Sequence, residues 1–153
     1  MKTILVAIDG SEGAAAALRV AADKAAAEGA RLIVLAVTAR DLGISSLSTE
    51  IGEFAREEHL PGGEAEARLM LADDILAGAK RLMGGREKLD ALYISRAGEP
   101  AEEILDCAQE MSADVLYLGS RGRGALGALF LGSVSRRVAR KAGCPVVIVP
   151  KEG

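Results

Sequence analysis

The sequence predicts an α/β fold: a five-stranded parallel sheet in an open sandwich, with helices on both faces. Three observations predict it. Short runs of β-branched and aliphatic residues, such as ILVAI, LIVLAV and VVIV, leave no polar face, as strands covered on both sides do. Segments of helical spacing separate these runs, and strands alternating with helices pair in parallel through right-handed crossovers. The length, 153 residues, suits one domain with a sizeable core, so residues 1–153 are expected to form a single unit.

The elements follow in order. Lys2–Ile8 is the first buried strand. Asp9-Gly10-Ser11-Glu12 ends it with turn and capping residues. A helix is expected over Ala14–Glu28, with Leu18, Ala22 and Ala25 on one face and Gly29 to stop it. Arg31–Val37 is the second strand. From Thr38 to Gly63 the chain is polar, scattered with Gly and Ser, and the least regular; a short helix is expected around Ile51–His59. A connection this long in a compact domain is usually functional or mobile. Glu64–Met83 reads as a second long helix with Leu69, Ala72, Leu76 and Leu82 apolar, ended by Gly84-Gly85.

Leu89–Ser95 alternates in part, as an edge or near-edge strand does. Gly98-Glu99-Pro100 opens a third helix, with Pro100 at the favoured first position. Glu102 and Glu103 complement its dipole, and Ala101, Ile104, Leu105, Ala108 and Met111 form its apolar stripe. Asp114–Leu118 is the fourth strand, followed by the basic, glycine-rich stretch Gly119–Gly124. A last helix begins at Gly132-Ser133 with Val134, Val138 and Ala142 on one face; Gly143-Cys144-Pro145 breaks it, and Val146–Val149 is the fifth strand.

Composition removes several classes of function. Half the residues are hydrophobic and 27% are charged, the balance of an ordinary globular protein. Much of the apolar content is alanine, which favours helices packed close to a sheet. Phe54, Phe130, Tyr93 and Tyr117 are the only Phe or Tyr residues and Trp is absent, so a stacking surface for nucleic acid is not expected. No apolar run reaches the roughly 18–20 residues that cross a bilayer, and Asp9 interrupts the first one too early for a secretion signal. The expected location is therefore cytoplasmic, with no membrane partner. Cys107 and Cys144 form no CxxC pair and read as small semi-buried residues.

The net charge of −3 hides an asymmetry. Arg121, Arg123, Arg136, Arg137, Arg140 and Lys141 fall between Gly119 and Gly143 with no acidic residue among them. The totals are 19 basic and 22 acidic residues, so the rest of the chain holds 13 against 22. A positive island on an acidic chain points to a local anionic ligand. Even so, Arg136, Arg137, Arg140 and Lys141 read as a solvated helix face.

In open parallel sheets, ligands bind beyond the carboxyl ends of strands, where the strand order reverses. If the first and fourth strands are neighbours, Ala7-Ile8-Asp9-Gly10-Ser11 meets Leu118-Gly119-Ser120-Arg121-Gly122 there. An acid that accepts from a ribose hydroxyl, beside amides that hold phosphates, suits a nucleotide. Gly119 and Gly122 let the backbone approach a phosphate. Gly132-Ser133 opens a helix whose free amides and positive dipole end would face the anion, with Ser133 and Ser135 as hydroxyl donors. Plain readings stand beside these: Asp9 as a helix cap, the glycines as turn residues, and His59 as a surface residue. Gly122–Gly127 is a literal GxGxxG, but no acid stands at the end of the next strand, as a dinucleotide site requires. A P-loop lysine is absent, and Ser95-Arg96 stands where a phosphorelay receiver would carry an acid.

The spacing Gly119-x2-Gly122-x9-Gly132-Ser133 resembles the nucleotide-binding signature of ATP-binding universal stress proteins. ILVAIDGSE, LIVLAVT, GEPAEEILDCAQEMSADVLYLGSRGRG and GSVSRRVARKAGCPVVIVP are similar to that family's strands and helices, which covers the chain apart from the variable loop 38–63. The resemblance implies a Rossmann-like sheet of order 3-2-1-4-5. It implies Asp9 at the ribose, Ala7 and Val37 lining the adenine pocket, and Ile8 and Leu118 among the nucleotide-binding residues. Gly119, Gly122, Gly132, Ser133, Val134 and Ser135 would surround ribose and phosphates, with Arg121 and Arg123 strengthening the phosphate contacts. The implied ligand is ATP, or ADP or AMP, with Mg2+ or Mn2+ carried on the phosphates. A homodimer through Val146, Val147, Ile148 and Val149 is implied as well. The leading expectation is a regulatory nucleotide binder without fast turnover, since no His, Gln or Glu lies within Gly119–Ser135 to orient a water. A slow ATPase and an interaction module without nucleotide are the alternatives; a histidine-pair adenylyl transferase is excluded by the single histidine.

Overall fold

The computed structural model describes residues 1–39, 64–120 and 132–150. Five parallel strands form one sheet of order β3-β2-β1-β4-β5. They are β1 Thr3–Ile8, β2 Arg31–Ala39, β3 Ala91–Gly98, β4 Val115–Gly119 and β5 Val146–Val149. Four helices connect or flank them: α1 Glu12–Glu28, α2 Glu64–Leu82, α3 Pro100–Glu110 and α4 Ser133–Lys141. The expected strand order and helical layers are those observed.

Side-chain alternation along the central strands builds two cores. Ile4, Val6 and Ile8 of β1 and Leu32, Val34 and Ala36 of β2 face one side, against the alanine face of α1 and the inner face of α2. Leu5, Ala7, Ile33, Leu35 and Val37 face the other, against Ala101, Ile104 and Cys107 of α3 and Val138 of α4. Polar-free β1 and β2 need both coats, which is why their sequences lack a solvent face. Burial raises the thiol pKa of both Cys107 and Cys144.

Helix ends follow local chemistry. Ser11 caps α1: its Oγ accepts from the Ala14 amide at 3.2 Å, so the helix begins at Glu12, two residues before the expected start. Gly29, at φ 65°, closes α1 through its N–H to Ala25 O. Glu99 caps α3, with Pro100 in the first position as expected.

β3 departs from expectation. Leu89 and Asp90 belong to the turn before it, where Leu89 N donates to Arg86 O. The strand then runs on to Gly98, three residues past the expected Ser95. Its neighbour supplies the reason: β2 continues to Ala39, and the ladder pairs Val37 with Arg96 and Ala39 with Gly98. At this edge of the sheet one side of the strand is open, so polar Ser95 and Arg96 are accommodated there. The helix expected at Ile51–His59 lies outside the described residues.

Candidate functional site

Because β1 sits between β2 and β4, the chain leaves β1 toward one half of the sheet and returns through the other. This reversal opens a crevice at the carboxyl ends of β1 and β4. A cleft of about 310 Å³ occupies it, at the low end of small-molecule sites. The strand ends supply Ala7, Ile8, Asp9, Val37, Leu118 and Gly119. Pro100 and Ile104 of α3 and Gly132, Ser133, Val134 and Ser135 at the start of α4 line it as well.

The three helix starts at this cleft are not alike. α1 is capped by Ser11, and α3 by both carboxylate oxygens of Glu99, which accept from Ala101 and Glu102 amides. The cap of α4 is Gly132, which has no side chain and makes no such bond. The first amides of α4 therefore keep their hydrogen-bonding capacity beside the cleft, with the positive end of the helix dipole behind them. An acceptor with negative charge is what such a terminus binds.

Asp9 is partly buried, and its Oδ1 accepts from the Ser11 amide at 2.9 Å. It thus shapes the turn, while capping of α1 falls to Ser11. The plain reading of Asp9 as the cap is corrected by this geometry. Gly132 N donates to Ser120 O at 3.0 Å, and Ser120 N donates to Val149 O at 2.9 Å. These bonds set Gly132-Ser133 directly beside the end of β4.

Two residues expected in the site serve it differently from the expectation. A Cβ on Gly119 would lie 2.7 Å from Gly13 C and 2.8 Å from Gly13 O, so glycine is needed where β4 passes the first turn of α1. Ser135 is buried, and its hydroxyl donates to Gly119 O at 3.0 Å. The proton expected for a phosphate instead fastens α4 to β4. Ala7, Ile8, Asp9, Val37, Leu118, Gly119, Gly132, Ser133, Val134 and Ser135 are thus all brought to one cleft; Arg121, Gly122 and Arg123 lie outside the described residues. Sequence reasoning brought Ser11 to the crevice without a role there, and missed Ala14, Pro100 and Ile104. Pro100 and Ile104 stand four apart in a helix, which puts them on one face, and that spacing was the available signal.

Among the described residues no group of three His, Cys, Asp or Glu side chains could hold a metal ion, and no helix is long and apolar enough to cross a membrane.

Residues 1–150 match the model of the universal stress protein family. A Thermus aquaticus protein named universal stress protein in QAH/OAS sulfhydrylase 3'region is 41% identical over 148 residues, covering 97% of this chain and 98% of that one. Among solved structures, hypothetical protein MJ0577 superposes with a TM-score of 0.75 at 27% identity, covering 99% of this chain and 97% of the other. A universal stress protein crystallised in complex with cAMP gives a TM-score of 0.60 at 27% identity, covering 99% and 98%. The strand order, the cleft at its reversal and the nearly full-length matches agree, and the chain belongs to the universal stress protein family.

Proposed function

We propose that this protein binds ATP, or a related adenine nucleotide, in the cleft between β1, β4, α3 and α4, and acts through the bound state without fast turnover. One observation carries the reading: an uncapped helix N-terminus, apolar side chains and, among the described residues, a single acid line one cleft. An apolar wall, an acid and an anion site are the three things a nucleotide needs. Ala7 and Val37 would meet the base through backbone groups, against Leu118, Pro100 and Ile104. Asp9 would accept from the ribose. The amides of Ser133, Val134 and Ser135 would hold the phosphates, with Gly122, Arg121 and Arg123 assigned there by the sequence pattern alone. The cAMP complex of a 27% identical protein supports an adenine nucleotide as the ligand class.

The metal follows from the donors. The only carboxylate lining the cleft among the described residues is Asp9, already engaged with Ser11. Mg2+ or Mn2+ would therefore ride on the phosphates, the usual habit of Mg2+. The same single acid favours binding over hydrolysis, because an activated water needs a free base; slow ATP hydrolysis is the second reading. A homodimer through β5 and a cytoplasmic location complete the proposal, as does a single domain spanning residues 1–153.

The test compares two substitutions of one residue. Gly132 has φ −67° and ψ 162°, a conformation that a following proline favours, and proline is at home in the first helical position. Ser133→Pro should leave α4 intact while deleting both the amide and the hydroxyl donor of Ser133, and Ser133→Ala, which deletes the hydroxyl alone, isolates the share of the amide. Titration with Mg-ATP by calorimetry is expected to give about tenfold weaker binding for Ser133→Pro than for Ser133→Ala, the scale of one charge-assisted hydrogen bond. Wild-type protein that binds neither Mg-ATP, AMP nor GTP at millimolar concentration would overturn the proposal.

A further inference from the structure

Arg137 stands apart from the other cations of α4. Arg136, Arg140 and Lys141 are exposed, in keeping with a solvated face. The Arg137 guanidinium instead reaches the first turn of α3, with Nη1 3.5 Å from Glu99 Oε2 and Nη2 3.5 Å from Glu102 Oε1. Glu99 is at the same time the cap of α3. A single side chain thus links the helix that offers free amides to the helix that offers Pro100 and Ile104. It also sets a positive charge on two carboxylates that flank a cleft suited to an anion.

We infer that Arg137 is a positioning residue for the ligand: from the second turn of α4 it ties that helix to the first turn of α3, so that the free amides and the apolar residues are held at the separation the nucleotide needs. The inference rests on the nucleotide reading above. Arg137 does not line the cleft, so its action passes through Glu99 and Glu102. Two features make the effect modest. The pairs are partly exposed, with side-chain exposures of 39% for Arg137 and 41% and 62% for Glu99 and Glu102, and pairs of this kind are weak and salt-sensitive. For the two helix starts to move independently, however, both pairs must break and the apolar core that α3 and α4 share must give.

The experiment compares Mg-ATP affinity and melting temperature for wild type, Arg137→Gln, Arg137→Lys, Glu102→Gln and the double variant Arg137→Gln with Glu102→Gln. Arg137→Gln should weaken Mg-ATP binding by up to about fivefold, the upper range for an exposed ionic link, with a melting temperature lowered by no more than roughly 2–4 °C. Arg137→Lys should recover much of the loss. Arg137→Gln should cost less in the Glu102→Gln background than in wild type, since a direct arginine–phosphate contact would cost the same in both. The loss should shrink at about 1 M salt, where the screening length is roughly 3 Å. Wild-type affinity in Arg137→Gln, lysine no better than glutamine, or a full loss in both backgrounds would each overturn the inference while leaving the nucleotide reading in place. Wild-type protein that does not bind Mg-ATP would overturn both.

Discussion

Thr38, near the end of β2, is 4% exposed, and among the described residues its Oγ1 has no hydrogen-bond partner. A buried hydroxyl left unpaired costs about 1–3 kcal/mol. Its backbone is secured by the ladder to Ala97, so the side chain alone carries this cost. Thr38→Val keeps the shape, removes the hydroxyl, and is expected to raise stability by about 1 kcal/mol, or the melting temperature by roughly 2–4 °C. A lower melting temperature by calorimetric scan would mean that the hydroxyl is satisfied after all. Ser135 teaches the opposite lesson: its hydroxyl looks in sequence like a ligand donor, and in the fold it bonds Gly119 O. Composition and spacing could bring Asp9, Ser133 and Ser135 to one place. They could not say that the protein itself consumes the Ser135 hydroxyl, because Ser135–Gly119 depends on a three-dimensional contact, whereas Asp9 closes a local turn onto Ser11 two residues on.

Among the elements, β4 and α1 meet most tightly where Gly119 passes Gly13 and Ala14. The obstruction is backbone, with Gly13 O 2.8 Å and Ala14 N 3.1 Å from a Cβ at Gly119, so no rotamer change relieves it. Gly119→Ala is expected to lower stability by about 2–3 kcal/mol, typical of overpacking without room to adjust, read as a fall in the denaturation midpoint at constant slope. An unchanged midpoint would show that α1 can slide outward freely. The glycine was legible in the sequence, but its purpose was not: the spacing to Gly122 and Gly132 suggested room for a phosphate, whereas at Gly119 the close neighbour is the protein's own helix. Element positions were legible because β1, β2 and β5 are nearly pure aliphatic runs and α3 carries its own cap and proline. The end of β3 was not, since Ser95 and Arg96 follow β2 in the ladder rather than any pattern of their own. The ionic link of Arg137 to α3 was hidden for the same reason, 35 residues separating it from Glu102.

At the scale of the whole molecule, the sheet ends on two different edges. β3 is eight residues long and includes Ser95 and Arg96, and polar residues of this kind discourage pairing with a second chain. β5 is four aliphatic residues, Val146–Val149, with Val147 37% exposed. Its ladder to β4 uses the carbonyls of Pro145 and Val149, and in a parallel ladder the groups of the alternate residues, Val146 and Ile148, then point away from the sheet. An unprotected apolar edge of this kind invites a second strand, and a second copy of β5 is the proposed occupant. Lysine is the natural deterrent at such an edge, and at Val147 it would enter a position already open to solvent. Val147→Lys is therefore expected to fold with a near-native melting temperature, yet to halve the mass that light scattering measures for the wild type. A wild-type mass equal to one chain would remove β5 as a dimer edge. A dimeric Val147→Lys variant would move the interface elsewhere on the molecule.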